Sequence, residues 1–123
     1  KLGKLFFRGD RIRNIKTKLN KKRILKNMGW CNDSRSNKYN RLINLKKKNS
    51  FTYEKLYRND YKYDLFIPIL FNYFKTKKKK GSAIFIHLTK NYKPTIGCIA
   101  LSKKDFYILV KIIDKNSKIY IKN

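Results

Sequence analysis

The sequence predicts a mainly β fold with one helix near the C-terminus, and three features indicate it. From residue 61 onward, short runs rich in aromatic and β-branched residues follow one another, which is typical of buried strands. Turn-forming residues separate these runs. One segment after residue 102 has the apolar periodicity of an amphipathic helix. A chain of 123 residues, 41% of them hydrophobic, can bury one core, so we expect a single domain over residues 1–123.

The first half of the chain gives the weaker structural signal. Residues 1–50 are polar and lysine-rich, and they predict loops with brief strands. Turn residues recur between residues 29 and 34. Residues 51–60 have an ambiguous periodicity, which is compatible with one or two helical turns.

Three apolar runs in the second half predict buried strands, at residues 63–73, 82–88 and 96–101. We expect Pro68 to bend the first of them. The lysine run 77–80, closed by Gly81, predicts an exposed hairpin loop, and residues 90–94 predict a polar connection.

The predicted helix follows the third strand. Ser102 and Asp105 have the spacing of an N-cap with an acidic residue at the third helical position, where it also complements the helix dipole. The apolar positions then recur at i, i+3, i+4 and i+7, as one buried face requires: Phe106, Leu109, Val110 and Ile113. Residues 118–122 alternate polar and apolar positions and predict a closing strand.

The formal charge of +26 indicates a strongly basic surface. Such a field attracts phosphate, anionic lipid or acidic wall polymers. Lysine supplies 26 of the 33 basic residues, whereas base readout and bidentate phosphate binding favour arginine. We therefore expect at most non-specific polyanion contact and no specific nucleic acid. No apolar run approaches the roughly 20 residues of a membrane span, which predicts that the chain is not an integral membrane protein.

Cys98 and His87 are the residues most suited to covalent chemistry. A thiol is mostly protonated at neutral pH, and a neighbouring imidazole can take its proton to generate the nucleophilic thiolate. His87 lies at the end of one predicted strand and Cys98 lies in the next, so adjacent strands can place both at the same end of a sheet. Gly97 permits close approach of a substrate carbonyl, and backbone N–H groups at Gly97 and Cys98 can stabilise an oxyanion.

These residues belong to a longer pattern that resembles the catalytic signature of the L,D-transpeptidase (YkuD-like) family. In that pattern a strand ends in His, and Ser or Thr, any residue, Gly and the nucleophilic Cys follow after a short loop. The matching stretches are residues 81–87 (G-S-A-I-F-I-H) and 95–102 (T-I-G-C-I-A-L-S), and segments of a small bacterial branch are matched by residues 29–33, 39–40 and 61–64.

The resemblance implies a β-sandwich or barrel-like sheet and assigns roles to individual residues. Cys98 matches the nucleophile, His87 its base, and the backbone carbonyl of Leu88 the group that orients the imidazole. Gly97 matches an oxyanion donor, and Thr95 and Ile96 match positions beside the substrate pocket. The implied reaction is attack on the third residue of a peptidoglycan tetrapeptide stem, release of D-alanine and transfer to an amine, without a metal or other cofactor. That substrate implies a location in the cell envelope or periplasm.

Two departures from the family pattern stand out. Ile96 and Ala100 occupy positions where many members have His and Arg, so the anchor for a substrate carboxylate is unassigned. Family domains also usually begin with strands and a Gly-rich segment that this chain lacks, and we expect it to be truncated at the N-terminus.

Several alternatives remain open from sequence. Transfer to water would make an L,D-carboxypeptidase, and interleaved lysines and aromatics allow a nucleic-acid-binding module. Cys31, His87 and Cys98 form a possible zinc ligand set, and the two cysteines a possible disulfide. The carboxylates Glu54 and Asp64 form no paired catalytic site by spacing, so we expect them to pair with surplus Lys and Arg.

Overall fold

The fold is described by a computed structural model that covers residues 1–73, 76–77, 81–90 and 98–120. These residues form two β-sheets and a C-terminal helix, which confirms the mainly β prediction. The strands are β1 (Leu5–Phe7), β2 (Lys21–Arg23), β3 (Met28–Cys31), β4 (Leu42–Asn44), β5 (Tyr53–Lys55), β6 (Leu65–Pro68), β7 (Phe85–Leu88) and β8 (Ile99–Leu101), and the helix is α1 (Lys103–Ile112).

The larger sheet has the strand order β2-β1-β6-β7-β8. Strands β6 and β7 are antiparallel and lie inside this sheet, and every residue of both is buried. Strands covered on both faces lose the alternation of apolar and polar residues, which is why their sequences read as continuous apolar runs. Strand β8 pairs with β7 in parallel. The smaller sheet has the order β4-β3-β5 and is antiparallel throughout.

Two hydrophobic clusters cover opposite faces of the larger sheet, because successive residues of a strand face opposite sides. One cluster joins Ile86 and Leu88 of β7 to Phe106 and Val110 of the helix. The other, which we call the inter-sheet core, joins the larger sheet to the smaller one. It consists of Phe6, Ile24, Met28, Trp30, Leu56, Tyr63, Phe66, Ala83 and Phe85, with Leu42, Tyr57, Tyr73 and Cys98 packed against it. Two sheets packed over such a core make a β-sandwich, as the family resemblance implies.

The helix follows the sequence prediction closely. The Ser102 side chain accepts a hydrogen bond from the backbone N–H of Asp105 at 3.2 Å and caps the helix. Phe106 and Val110 are fully buried, while Leu109 and Ile113 pack against the same cluster.

Other predictions need correction. The interval 51–60 contains strand β5 rather than helical turns, because pairing with β3 satisfies its backbone. The first long strand is limited to Leu65–Pro68, and residues 71–72 form a turn. Residues 118–120 form no strand, and the rest of that predicted strand lies outside the described residues. The same is true of residues 78–80 of the hairpin loop and of residues 91–94.

Candidate active site

His87 occupies the third position of β7, with Phe66 of β6 on one side and Ala100 of β8 on the other. Its side chain is buried, with 7% of the residue exposed. The ring atom Nδ1 lies 2.9 Å from the carbonyl oxygen of Leu88. A carbonyl can only accept, so Nδ1 is the donor in this contact, and Nε2 is the ring atom left to act as a base. The backbone therefore fixes both the orientation and the tautomer of His87.

Cys98 stands immediately before β8 and is only partly buried. Its thiol donates to the carbonyl oxygen of Ala83 with an Sγ–O distance of 3.4 Å. Burial is the main effect on this group and raises the pKa of the Cys98 thiol above its ordinary value. A hydrogen bond from the backbone of Phe85 acts in the opposite direction, and the negative charge of Glu54 adds to the increase. The resting group is thus a protonated thiol that needs a base.

The register of β7 and β8 brings the two residues to one face of the larger sheet. His87 lies beside Ala100, and Cys98 precedes Ala100 by two residues, so Cys98 and Ala100 project to the same side. Cys98 packs on the inter-sheet core, which Phe85 enters from the same face as His87. The sequence prediction placed both residues on adjacent strands at one end of a sheet. In the structure Cys98 lies just before β8, level with the start of β7, and His87 lies two residues further along β7 on the same face.

Tyr63 connects His87 to the smaller sheet. Its ring meets the His87 ring edge-on, with 5.8 Å between centroids, and it belongs to the core on which Cys98 packs. Its hydroxyl donates a hydrogen bond to Oε1 of Glu54 on β5. Burial, followed by this bond to the carboxylate, raises the pKa of Tyr63. Tyr63 is therefore a neutral donor at physiological pH, held between the histidine and a carboxylate.

Asn40 fixes the chain segment beneath the thiol. Its Oδ1 accepts from the Trp30 indole N–H at 2.9 Å and from the Ala83 backbone N–H at 3.3 Å, and its amide nitrogen donates to two carbonyls in the 71–72 turn. Ala83 has a φ of 53°, a left-handed conformation that is unfavourable for a residue with a Cβ atom. Asn40 thus stabilises the strained residue whose carbonyl accepts from Cys98.

The other predicted site residues have varied outcomes. Thr95, Ile96 and Gly97 lie outside the described residues. Cys31 is fully buried in β3, and no disulfide joins it to Cys98. Within the described part of the chain, no group of three or more His, Cys, Asp or Glu side chains is arranged to hold a metal ion, so the zinc ligand set considered from sequence is not assembled.

The expectation that Asp64 and Glu54 each pair with a basic residue is confirmed for Asp64 and wrong for Glu54. Asp64 forms an ion pair with Arg11 at 2.8 Å, whereas the partner of Glu54 is the Tyr63 hydroxyl. Tyr63, Asn40 and Ala83 were missed as neighbours of the site, because their proximity depends on contacts between chain segments far apart in sequence. The family-like segments 39–40, 61–64 and 81–87 contain these three residues, but the resemblance assigned no role to them.

Comparison with known families adds independent information. The family model for the L,D-transpeptidase catalytic domain, YkuD, matches residues 10–121. No curated protein and no solved structure matches the chain. No helix within the described ranges is both long and apolar enough to cross a membrane.

Proposed function

The chain belongs to the YkuD family of L,D-transpeptidase catalytic domains, and from this premise we propose that it is a cysteine-dependent L,D-transpeptidase of peptidoglycan. The observation that best supports the proposal is the placement of Cys98 and His87 on one face of adjacent strands, with the Leu88 carbonyl orienting the imidazole. A partly buried thiol with a raised pKa has little thiolate at neutral pH, so it needs a base such as His87 to become a nucleophile.

In the proposed first half-reaction, Nε2 of His87 takes the thiol proton and Cys98 Sγ attacks the carbonyl carbon of the third stem residue. A C–S bond forms as the carbonyl π bond opens to an oxyanion. Collapse of this intermediate breaks the C–N bond to the terminal D-alanine, whose nitrogen receives the proton from His87. The product is a thioester on Cys98 and free D-alanine.

In the second half-reaction, the side-chain amine of another stem attacks the thioester carbon. A C–N bond forms, the C–S bond breaks, and the proton lost by the amine returns through His87 to Cys98. Water in place of the amine would give an L,D-carboxypeptidase with the same first step. A carboxypeptidase releases the tripeptide as a free acid, whereas a transpeptidase forms a cross-linked dimer of two stems, so the products distinguish the two activities.

The oxyanion and substrate positions extend the proposal to the loop before β8. We assign the oxyanion donors to the backbone N–H groups of Gly97 and Cys98, and Thr95 and Ile96 to the rim of the substrate pocket. Preorganised donors of this kind contribute about 10²–10³ in rate when they meet developing negative charge.

The partners follow from this chemistry. Peptidoglycan stem peptides are the proposed substrates, which places the protein in the cell envelope or periplasm. The net charge of +26 also favours non-specific contact with acidic wall polymers, an attraction that added salt would weaken.

The direct test is intact-protein mass spectrometry after incubation with a tetrapeptide stem or a carbapenem. We expect one covalent adduct on the parent and on Cys31→Ala, the matched control for removal of a cysteine, and none on Cys98→Ala. His87→Gln should acylate about 10²–10⁴ times more slowly, because a positioned base contributes that much to proton transfer. An adduct that persists on Cys98→Ala, or its absence from the folded and reduced parent, would contradict the proposal.

A further inference from the structure

The only glutamate of the chain, Glu54, points into the space between the two sheets. It is the middle residue of the edge strand β5, partly buried between exposed Tyr53 and Lys55. It lies opposite Trp30 of β3, and cross-strand partners share a face. Trp30 packs edge-on against Phe85 of the larger sheet, with 5.3 Å between ring centroids. Glu54 therefore faces the larger sheet, on the side where Cys98 and His87 lie.

Tyr63 links the carboxylate to the neighbourhood of both proposed catalytic residues. Tyr63 donates its hydroxyl to Oε1 of Glu54 and sets its ring against the ring of His87. Tyr63 also belongs to the core on which Cys98 packs. The electrostatic effect agrees with this geometry, since the charge of Glu54 contributes to the raised pKa of Cys98.

Among the described residues Glu54 forms no ion pair within salt-bridge distance, unlike four of the six aspartates. Asp10, Asp33, Asp60 and Asp64 each form an ion pair with an arginine. The nearby Arg58 binds Asp60 through Nε and Nη2, with 2.5 Å between Nη2 and Oδ2. The Arg58 guanidinium also lies 5.0 Å from the centroid of the Tyr63 ring, and the charge of Glu54 contributes to the raised pKa of Arg58. Because Arg58 makes its hydrogen bonds to Asp60, the Glu54 carboxylate bonds only a neutral phenol, which leaves an acceptor for a cation from outside.

Building on the proposed function, we propose that Glu54 and Tyr63 form a subsite for a primary ammonium group of the wall peptide, next to Cys98. The Tyr63 hydroxyl occupies Oε1, which leaves Oε2 and the phenolic oxygen as acceptors for an ammonium group with three N–H donors. A carboxylate in this position attracts the cationic form of an amine and holds its nitrogen near the thioester carbon. One proton leaves to water before the nitrogen attacks.

Two amines can supply this chemistry, the side-chain amine of the donor stem or that of the acceptor stem. The acylation arm of the test compares a tetrapeptide stem whose third residue has a free side-chain amine with the same stem acetylated at that amine. The transfer arm uses preformed acyl-enzyme and compares Nα-acetyl-lysine amide, which is cationic at pH 7, with hydroxylamine, which is uncharged there. Loss or gain of adduct is followed by intact mass.

Glu54→Gln is the informative variant, because an amide oxygen can still accept from Tyr63 while the charge is lost. We expect it to slow the reaction of the cationic amine about tenfold, and to leave the uncharged compound of the same arm nearly unchanged. The affected arm identifies the source of the amine. Tyr63→Phe should give a smaller loss of the same selectivity, because the carboxylate then loses its hydroxyl partner.

Asp114→Asn is the charge-matched control, since Asp114 follows the helix on the opposite face of the larger sheet. Its rates should equal those of the parent in both arms. Equal effects of Glu54→Gln on charged and uncharged compounds, or no effect on either, would overturn the subsite. The remaining role of Glu54 would then be that of an inward-facing charge that guards an edge strand against pairing.

A further measurement does not depend on acylation and so separates this proposal from the proposed function. A cation held at Glu54 should offset its charge, lower the pKa of Cys98 and speed alkylation of the thiol by iodoacetamide at pH 7. Nα-acetyl-lysine amide should produce this acceleration in the parent but not in Glu54→Gln, and its Nε-acetylated form in neither. No acceleration in the parent would overturn the subsite even if the thioester forms.

Discussion

The two cysteines occupy regions with opposite properties, although each lies at or beside the end of a strand. Cys31 ends β3, is completely buried, and lies on the opposite face of its strand from Trp30. Cys98 precedes β8, is partly exposed, and bonds the carbonyl of Ala83 on the face that presents His87. Burial without a base makes a cysteine a small packing residue, whereas a base and partial access make it a candidate nucleophile.

The surroundings of the two cysteines also differ in how they are held. Near Cys31, the carboxylate of Asp33 binds the backbone and guanidinium of Arg35 and the backbone N–H of Thr52. Near Cys98, the neutral amide of Asn40 bonds the Ala83 backbone. A charged carboxylate therefore holds the segment after Cys31, whereas a neutral amide holds Ala83, so pH should affect these two sets of hydrogen bonds differently.

The largest expected contrast is in thiol reactivity. We expect iodoacetamide to modify Cys98 of the native protein at least about a hundredfold faster than Cys31, since a fully buried thiol reacts only after local unfolding. Peptide mapping by mass spectrometry over a time course measures both rates. The Cys98 rate should keep rising with pH above the ordinary thiol pKa, because burial raises the pKa of this group. Similar rates for the two cysteines would remove the contrast.

Substitution of Asn40 is expected to have an effect of intermediate size, on the stability of the fold. Asn40→Ala leaves the Trp30 indole and the Ala83 N–H without their acceptor in a buried setting, and we expect a loss of about 3 kcal/mol in the free energy of unfolding. Urea titration measures this loss. Asn49→Ala is the matched control, because Asn49 bonds only within its own exposed turn, and it should cost about 1 kcal/mol or less.

The Asn40 variants can also separate stability from site geometry. Asn40→Asp retains the acceptor for Ala83 while losing the two donated bonds. If Asn40 positions the thiol through Ala83, the pH profile of Cys98 alkylation should shift in Asn40→Ala and return towards that of the parent in Asn40→Asp. Identical profiles in both variants would limit Asn40 to a structural role.

The smallest expected effect concerns pH and the Cys31 region. Hydrogen bonds from the Arg35 side chain and backbone lower the pKa of Asp33 to about 2 in the folded chain, against about 3.9 when unfolded. A depressed pKa stabilises the fold above the unfolded value, and the contribution is lost as pH falls from about 4 through 2. Asp33→Asn should therefore lower Tm by a few degrees at pH 7 and by less near pH 2.5, as measured by circular dichroism. A constant difference across this range would contradict the assignment.

Much of the second half of the chain could be predicted because its signals are local. Ser102 and Asp105 lie three residues apart, and the helix they cap formed as expected. The run that becomes β7 is continuously apolar because both faces of its strand are covered. The interval that becomes β5 could not be predicted from its three residues, since β3 supplies its pairing and the inter-sheet space makes Glu54 face inward.

The sequence by itself determined the family, the mainly β class and the identity of the two residues proposed for catalysis. Motif spacing and apolar periodicity are local properties of the sequence and can be recognised without the fold. Tertiary structure alone decided which side chains surround them. Glu54 meets Tyr63, and Asn40 meets Ala83 across 43 positions, because two sheets pack face to face over a common core. Packing brings these residues into contact although they are far apart in sequence. It also leaves one cysteine partly accessible and buries the other.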